Sequence, residues 1–114
     1  MAAEAGSPET ALVFLEARLR ETSDPEMREV LAKRMKEVII ERDIQTLEGA
    51  VAAYQVQHSI LPRTLTDLVA AGALPMLPLE PFGGSYLLDL KTGFVSSSTH
   101  PERLRTFFKR KQPA

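Results

Sequence analysis

Residues 25–57 read PEMREVLAKRMKEVIIERDIQTLEGAVAAYQVQ. After Pro25 this stretch contains no proline and a single glycine, Gly49, so it predicts one continuous helix about 50 Å long. Its apolar residues form two stripes whose mean directions differ by roughly 180°, at about 100° per residue. The stripes are Met27, Val30, Leu31, Met35 and Val38, then Ile40, Ile44, Leu47, Val51 and Tyr54. We therefore expect the helix to join two small cores, with a break near residues 41–43 as the alternative.

A second helix is expected upstream. Ser7-Pro8-Glu9 is typical of a helix start, because serine caps free N–H groups and proline suits the first helical position. Asp24-Pro25 repeats the signal, so the first helix should end near Glu21 and the two helices should form an antiparallel αα-hairpin. The spacing of Ala11, Leu12 and Leu15 before Asp24-Pro25 resembles one tetratricopeptide-repeat unit. Since one unit buries its own face poorly, we expect further repeats upstream.

The second half of the chain is rich in turn signals. Pro62 predicts an extended exit from the long helix, and Thr64 or Thr66 can cap a short helix that ends at Gly72. Prolines in every third position make residues 73–81 extended, and a turn follows at residues 82–84. Residues 85–89 and 94–98 then predict two strands joined by a turn. The expected fold class is α+β, with an αα-hairpin, a long helix, a short helix and a C-terminal antiparallel β-hairpin.

Several motifs in this half occur in a recognisable order: Asp43-Ile44-Gln45-Thr46-Leu47-Glu48-Gly49-Ala50, Tyr54, Leu61-Pro62, Leu65-Thr66-Asp67-Leu68 and Glu80-Pro81-Phe82-Gly83-Gly84-Ser85-Tyr86. Over about residues 40–98 this order resembles the soluble domain of type II secretion pseudopilins, particularly the major pseudopilin. The resemblance implies a pilin-like head and a structural role in the periplasm or cell envelope.

The chain also departs from the pseudopilin pattern. Glu80, Phe82 and Leu61 stand where that family has Asp, Trp and an aromatic residue. The family's hydrophobic N-terminal helix has no counterpart here, which leads us to expect a fragment of a larger anchored protein. The major pseudopilin binds calcium near its C-terminus, but residues 96–100 (SSSTH) offer no carboxylate, and hard cations need charged oxygen ligands. We expect neither a metal nor a cofactor.

The net charge of −1, from 14 basic and 15 acidic residues, conceals a basic tail. Residues 101–114 hold five bases and one acid, a net charge of +4. Such a tail could lie on an anionic membrane surface, or its apolar residues could dock while its cations stay solvated. Nucleic acid is not an expected partner, because the rest of the chain is acidic. The candidate interaction residues are Arg103, Arg105, Phe107, Phe108, Lys109, Arg110 and Lys111.

Catalytic patterns are weak throughout the sequence. There is no cysteine, and His58 and His100 lack metal-ligand spacing. The serines at 96–98 are typical of a solvated strand end, and Glu41 and Asp43 of a solvated polar helix face beside Arg42. We therefore predict no catalytic residue and no enzyme activity.

These observations predict a helical hairpin over residues 1–39, a pseudopilin-like module over 40–98 and a basic tail over 99–114. The predicted function is a non-enzymatic structural or protein-interaction module of the bacterial cell envelope, which binds envelope or secretion-assembly proteins. The alternative is a cytoplasmic helical-repeat adapter with a reused pilin-like head. Residues expected to support the head are Tyr54, Pro62, Pro81, Phe82, Gly83, Gly84, Tyr86 and Gly93.

Overall fold

The computed structural model describes residues 7–102, and their fold is α+β, as predicted. Helices α1 (Pro8–Glu21), α2 (Pro25–His58) and α3 (Thr66–Ala70) precede strands β1 (Tyr86–Leu88) and β2 (Val95–Ser97). The chain divides into two compact units, the first extending to Arg42 and the second spanning Asp43–Pro101. Helix α2 is continuous across this division, so the alternative of a break near residues 41–43 is wrong.

The first unit contains α1 and the first half of α2. The Thr10 N–H donates to the Ser7 hydroxyl (3.3 Å), and the Glu26 N–H donates to Asp24 Oδ1 (3.2 Å). Both predicted helix starts are therefore confirmed. Arg28 on α2 satisfies the end of α1, where its guanidinium donates to the carbonyls of Leu19 (2.7 Å) and Thr22 (2.8 Å).

The first apolar stripe of α2 is only partly covered. Leu31 and Val38 are buried and Met35 is half-buried, but Met27 and Val30 are exposed. The expectation that all five residues of this stripe form a core was therefore too broad. Exposed apolar side chains also occur on α1, at Val13 and Phe14.

In the second unit, the second half of α2 provides most of the core. Ile44, Leu47 and Val51 are buried there, together with Leu68 of α3 and Val95 of β2. Ile44, Leu47 and Val51 are three and four residues apart, so they lie on one side of α2, as expected for an amphipathic helix.

Short local bonds shape the connection from α2 to the sheet. Thr64 Oγ1 accepts from the Asp67 N–H (3.4 Å), while Asp67 Oδ2 accepts from the N–H groups of Arg63 (3.0 Å) and Thr64 (3.3 Å). This reciprocal pattern fixes the start of α3. Gly72 has φ +81°, a left-handed conformation that suits glycine after a helix.

The sheet has two antiparallel strands, with Tyr86 opposite Ser97, Leu87 opposite Ser96 and Leu88 opposite Val95. The Ser98 N–H donates to the Ser85 carbonyl and the Asp89 N–H to the Phe94 carbonyl. Because bonded pairs alternate in an antiparallel ladder, Leu87 faces Ser96 in a bonded pair. The N–H groups of Leu88 and Val95 consequently point outwards, away from the partner strand.

Candidate functional site

The most concentrated polar cluster surrounds the carboxylate of Glu80, which is 7% exposed. Its Oε1 accepts from the N–H groups of Phe82 (2.6 Å) and Gly84 (3.3 Å). Its Oε2 accepts from the hydroxyls of Ser97 (2.6 Å) and Thr99. One side chain thus closes the turn at residues 80–84 and ties it to the chain that leaves β2.

The Glu80 carboxylate is stabilised as an anion. Burial raises the pKa of Glu80, but two hydroxyl donors and two backbone N–H donors outweigh burial and lower the pKa from 4.5 to about 2. A carboxylate with this pKa is a poor proton carrier near neutral pH, because general acids and bases work best with a pKa close to the operating pH. The arrangement favours a structural role for Glu80.

The hydroxyl of Ser97 connects Glu80 to the following residues. Besides donating to Glu80, it accepts from the N–H groups of Thr99 (3.1 Å) and His100 (3.0 Å). The expectation that Ser96–Ser98 is a solvated strand end is wrong at its centre, because Ser97 is buried. Its hydroxyl is needed inside the structure to bridge a buried carboxylate to backbone donors.

Gly84 is required where the turn approaches this cluster. A Cβ atom at Gly84 would lie 2.6 Å from Thr99 Cγ2 and still closer to Ser98 Oγ. Such separations are below any normal contact distance, so the backbone can approach Thr99 this closely only with glycine at position 84. The rings of Phe82 and His100 pack beside the same turn, with centroids 4.3 Å apart.

Two further carboxylates connect α2 to the hairpin. Asp43 Oδ2 accepts from the Tyr86 hydroxyl (2.8 Å), and Glu48 Oε2 accepts from the Val95 N–H (2.8 Å). Asp43 and its neighbour Glu41 are buried, so the expectation of a solvated polar face at these positions is wrong. Asp43 is retained in a low-polarity environment because it binds the hydroxyl of a residue on β1.

An open groove of about 510 Å³ lies in the second unit. Buried Leu47 lies at this groove, which is otherwise lined by three runs of chain, residues 63–66, 77–80 and 84–88. Two apolar side chains on its walls are strongly exposed, Leu79 at 90% and Leu87 at 51%. Most of the residues that line this groove are apolar.

No protein-family model, curated protein or solved structure matches this chain. The similarity to pseudopilins and that of residues 1–39 to a tetratricopeptide repeat therefore remain predictions.

The residues expected to support the head occupy varied positions. Pro62 and Gly93 are buried, and Gly83 and Gly93 have φ values of +87° and +79°. Tyr54 packs against His58 with ring centroids 4.2 Å apart. Pro81, Phe82 and Gly84 belong to the turn closed by Glu80. The tail residues Arg103, Arg105, Phe107, Phe108, Lys109, Arg110 and Lys111 lie outside the described residues.

Sequence reasoning missed the roles of Glu80, Ser97 and Glu48. The one usable signal was the carboxylate directly before Pro81 and two glycines, since an acidic side chain often accepts bonds from the N–H groups of a following turn. Nothing in the local sequence indicated that Glu48 would accept from a residue 47 positions later.

Within the part of the chain that the structure describes, no cluster of three or more His, Asp or Glu side chains is arranged to hold a metal ion. The same residues include no helix with the length and apolar character that crossing a membrane requires.

Proposed function

We propose that this chain is a non-enzymatic protein-interaction module of the bacterial cell envelope, with a pilin-like head in its second unit. One observation carries this proposal: the buried polar groups of the head hold its loops together, while large apolar side chains remain on its surface. Glu80 and Ser97 bind each other and backbone N–H groups, whereas Leu79 and Met76 are exposed.

This distribution differs from that of an active site. Active sites collect polar groups with perturbed pKa values in a concave site where a substrate can reach them. The carboxylate with the strongly lowered pKa, Glu80, already accepts four hydrogen bonds. Exposed apolar residues beside a groove instead favour contact with another protein.

The envelope location rests on the pseudopilin-like order of motifs in residues 40–98. In that order the head follows a long helix, and α2 with α3 and the hairpin has the corresponding sequence of elements. A structural or assembly role in the envelope agrees with a head that is fixed by internal carboxylate bonds.

A second candidate function is a cytoplasmic helical-repeat adapter. It is favoured by the exposed Val13 and Phe14 on α1, the latter 68% exposed. A neighbouring helical repeat would cover such a surface, since each repeat buries its apolar face against the next.

Site-specific photocrosslinking in cells of the source organism tests both candidates. A photoreactive amino acid at Leu79 should give adducts with envelope or secretion-assembly proteins, and the same group at Lys91, an exposed residue of the hairpin turn, should not. Adducts that form only from Phe14, with cytoplasmic proteins, would favour the adapter. Absence of adducts at both apolar positions would contradict an interaction function.

A further inference from the structure

The groove of the second unit has a strand edge along one wall. Five consecutive residues, Gly84 to Leu88, line it. Side chains of a strand alternate between its two faces, so a groove that contacts every residue in turn lies along the backbone edge. Residues 77–80 form another wall, with four consecutive residues. The groove is therefore lined by the edge of β1 and by a second continuous stretch of chain.

The outer edges of β1 and β2 differ in the hydrogen bonding of their outward N–H groups. On β2, the outward N–H of Val95 donates to Glu48 Oε2 (2.8 Å). On β1, the opposite residue Leu88 also points its N–H outwards. We find no hydrogen bond to this N–H within residues 7–102, and β1 has no strand neighbour there except β2. The β2 edge is thus capped by a carboxylate at Val95, whereas the outward N–H of Leu88 on β1 has no such cap among the described residues. This side of Leu88 is the open edge of β1.

Apart from its length of three residues, β1 has little of the usual protection against strand pairing. Natural edge strands are commonly guarded by lysine, proline, bulges or inward charges. The residues of β1 are Tyr86, Leu87 and Leu88, all uncharged, and they pair with β2 in unbroken register. The exposed side chains of Leu87 and Leu79 lie on the walls of the same groove. A segment bound in the groove would contact both.

The charged residues that line the groove indicate which kind of peptide segment could bind there. The groove lining contains two charged residues, Arg63 and Glu80. Glu80 directs both oxygens at internal donors. Arg63 is exposed, and no salt bridge to its guanidinium is found in the described chain. The charge open to a ligand is therefore positive.

We propose that the open edge of β1 binds an extended apolar segment of a partner protein as an added strand, with a carboxylate of that segment at Arg63. This inference rests on the proposed interaction function and specifies its site. Backbone bonds to the outward groups of Leu88 would supply affinity, and the exposed leucines would select apolar side chains at alternate positions.

Peptide selection on the 114-residue chain tests this proposal. A randomised heptapeptide display library should yield peptides with alternating apolar residues and at least one Asp or Glu. The best peptide is then synthesised in three forms: unchanged, with its acid replaced by Lys, and with alternate backbone nitrogens methylated. Methylation removes the N–H groups of one strand edge while leaving every side chain in place.

We expect the methylated form and the Lys form each to bind at least tenfold more weakly. In the Arg63→Glu variant the preference should reverse, so that the Lys form binds better than the acidic form. The Lys91→Glu variant, which changes the same charge outside the groove, should leave the preference unaltered. Circular dichroism confirms that both variants are folded.

Failure to select any peptide, or equal binding of the methylated and unmethylated forms, would overturn strand addition. Equal charge preference in the wild type and Arg63→Glu would overturn the role of Arg63. These results are distinguishable from failure of the proposed function. Envelope adducts from Leu79 together with methylation-insensitive peptides would keep the interaction module and reject the added strand.

Discussion

The two units of this chain are stabilised by different kinds of interaction. In the first, the Ser7 cap and the bonds from Arg28 to the end of α1 join residues no more than nine positions apart. In the second, carboxylates reach across long stretches of chain: Asp43 binds Tyr86, Glu48 binds Val95 and Glu80 binds Ser97. The bonds named for the first unit hold helix ends, whereas those of the second connect α2 and the turn at residues 80–84 to the hairpin, and two of their carboxylates, Asp43 and Glu80, are buried.

The long-range carboxylate bonds of the second unit explain how a small head with little regular structure can have a defined surface. Strands of three residues are marginal by themselves in water. Carboxylates on α2 and in the turn at residues 80–84 supply the missing restraints. The apolar side chains of Leu79 and Leu87 remain exposed on this head.

The largest effect is expected from the core of the second unit. Leu47→Ala should lower the free energy of unfolding by about 3 kcal/mol, because Leu47 is 0% exposed and truncation leaves a cavity. Val56→Ala, on the same helix but 86% exposed, should change it by less than about 0.5 kcal/mol. Denaturant unfolding measures both. Equal losses would contradict the assignment of this core.

The second largest loss in the free energy of unfolding is expected from substitution of Glu80. Glu80→Gln should lower the free energy of unfolding by roughly 2–3 kcal/mol at pH 7, because the amide cannot accept all four bonds made by the carboxylate. Since the pKa of Glu80 is lowered from 4.5 to about 2, its stabilisation is complete above pH 4.5 and is lost as the pH falls towards 2.

The difference between wild type and Glu80→Gln should accordingly shrink as the pH decreases from 4.5 to 2. Asp89→Asn is the control, since the exposed Asp89 accepts a local bond from the Lys91 N–H. It should show only a small difference in the free energy of unfolding. A Glu80→Gln difference that is independent of pH would argue against an ionised Glu80 as the anchor of the turn.

Tyr86→Phe should have a smaller effect, a loss of about 1–2 kcal/mol, because it removes a hydrogen bond to the buried carboxylate of Asp43. Tyr54→Phe is a matched control: Tyr54 packs on His58, and no hydrogen bond to its hydroxyl is found in residues 7–102. The same loss in both variants would show that the bond between Asp43 and Tyr86 contributes nothing specific.

The smallest loss in the free energy of unfolding is expected from a substitution in the first unit. Arg28→Gln should cost about 0.5–1 kcal/mol, because the exposed bonds from Arg28 to the end of α1 exchange readily with water. Lys33→Gln, an exposed change on the same helix, controls for the altered charge. Thermal unfolding is a suitable measurement. A loss as large as that of Glu80→Gln would contradict the contrast between the two units.

The sequence predicted the helices well and the candidate site poorly, for physical reasons. Helix starts depend on neighbouring residues such as Ser7-Pro8 and Asp24-Pro25, and the α2 pattern repeats locally. The hairpin was also predictable, because Gly93 and the apolar runs on either side are typical turn and strand signals. Each of these features is encoded within a few residues.

The bonds of Glu80, Asp43 and Glu48 depend on tertiary packing. A carboxylate on a helix is usually solvated, and local sequence gives no sign that a residue more than 40 positions later will donate to it. The same limit applies to the open edge of β1. Its existence follows from register and from the absence of a third strand among the described residues.

Amide hydrogen exchange at Leu87 and Leu88 tests the open edge of β1 most directly. In the free protein the Leu87 N–H, which lies in a bonded pair with Ser96, should exchange slowly, and the outward Leu88 N–H should exchange much faster. Adding the selected acidic peptide should slow exchange at Leu88 and leave Leu87 nearly unchanged. Slow exchange at Leu88 in the free protein, or exchange there that the bound peptide does not alter, would contradict a strand edge held open for a partner.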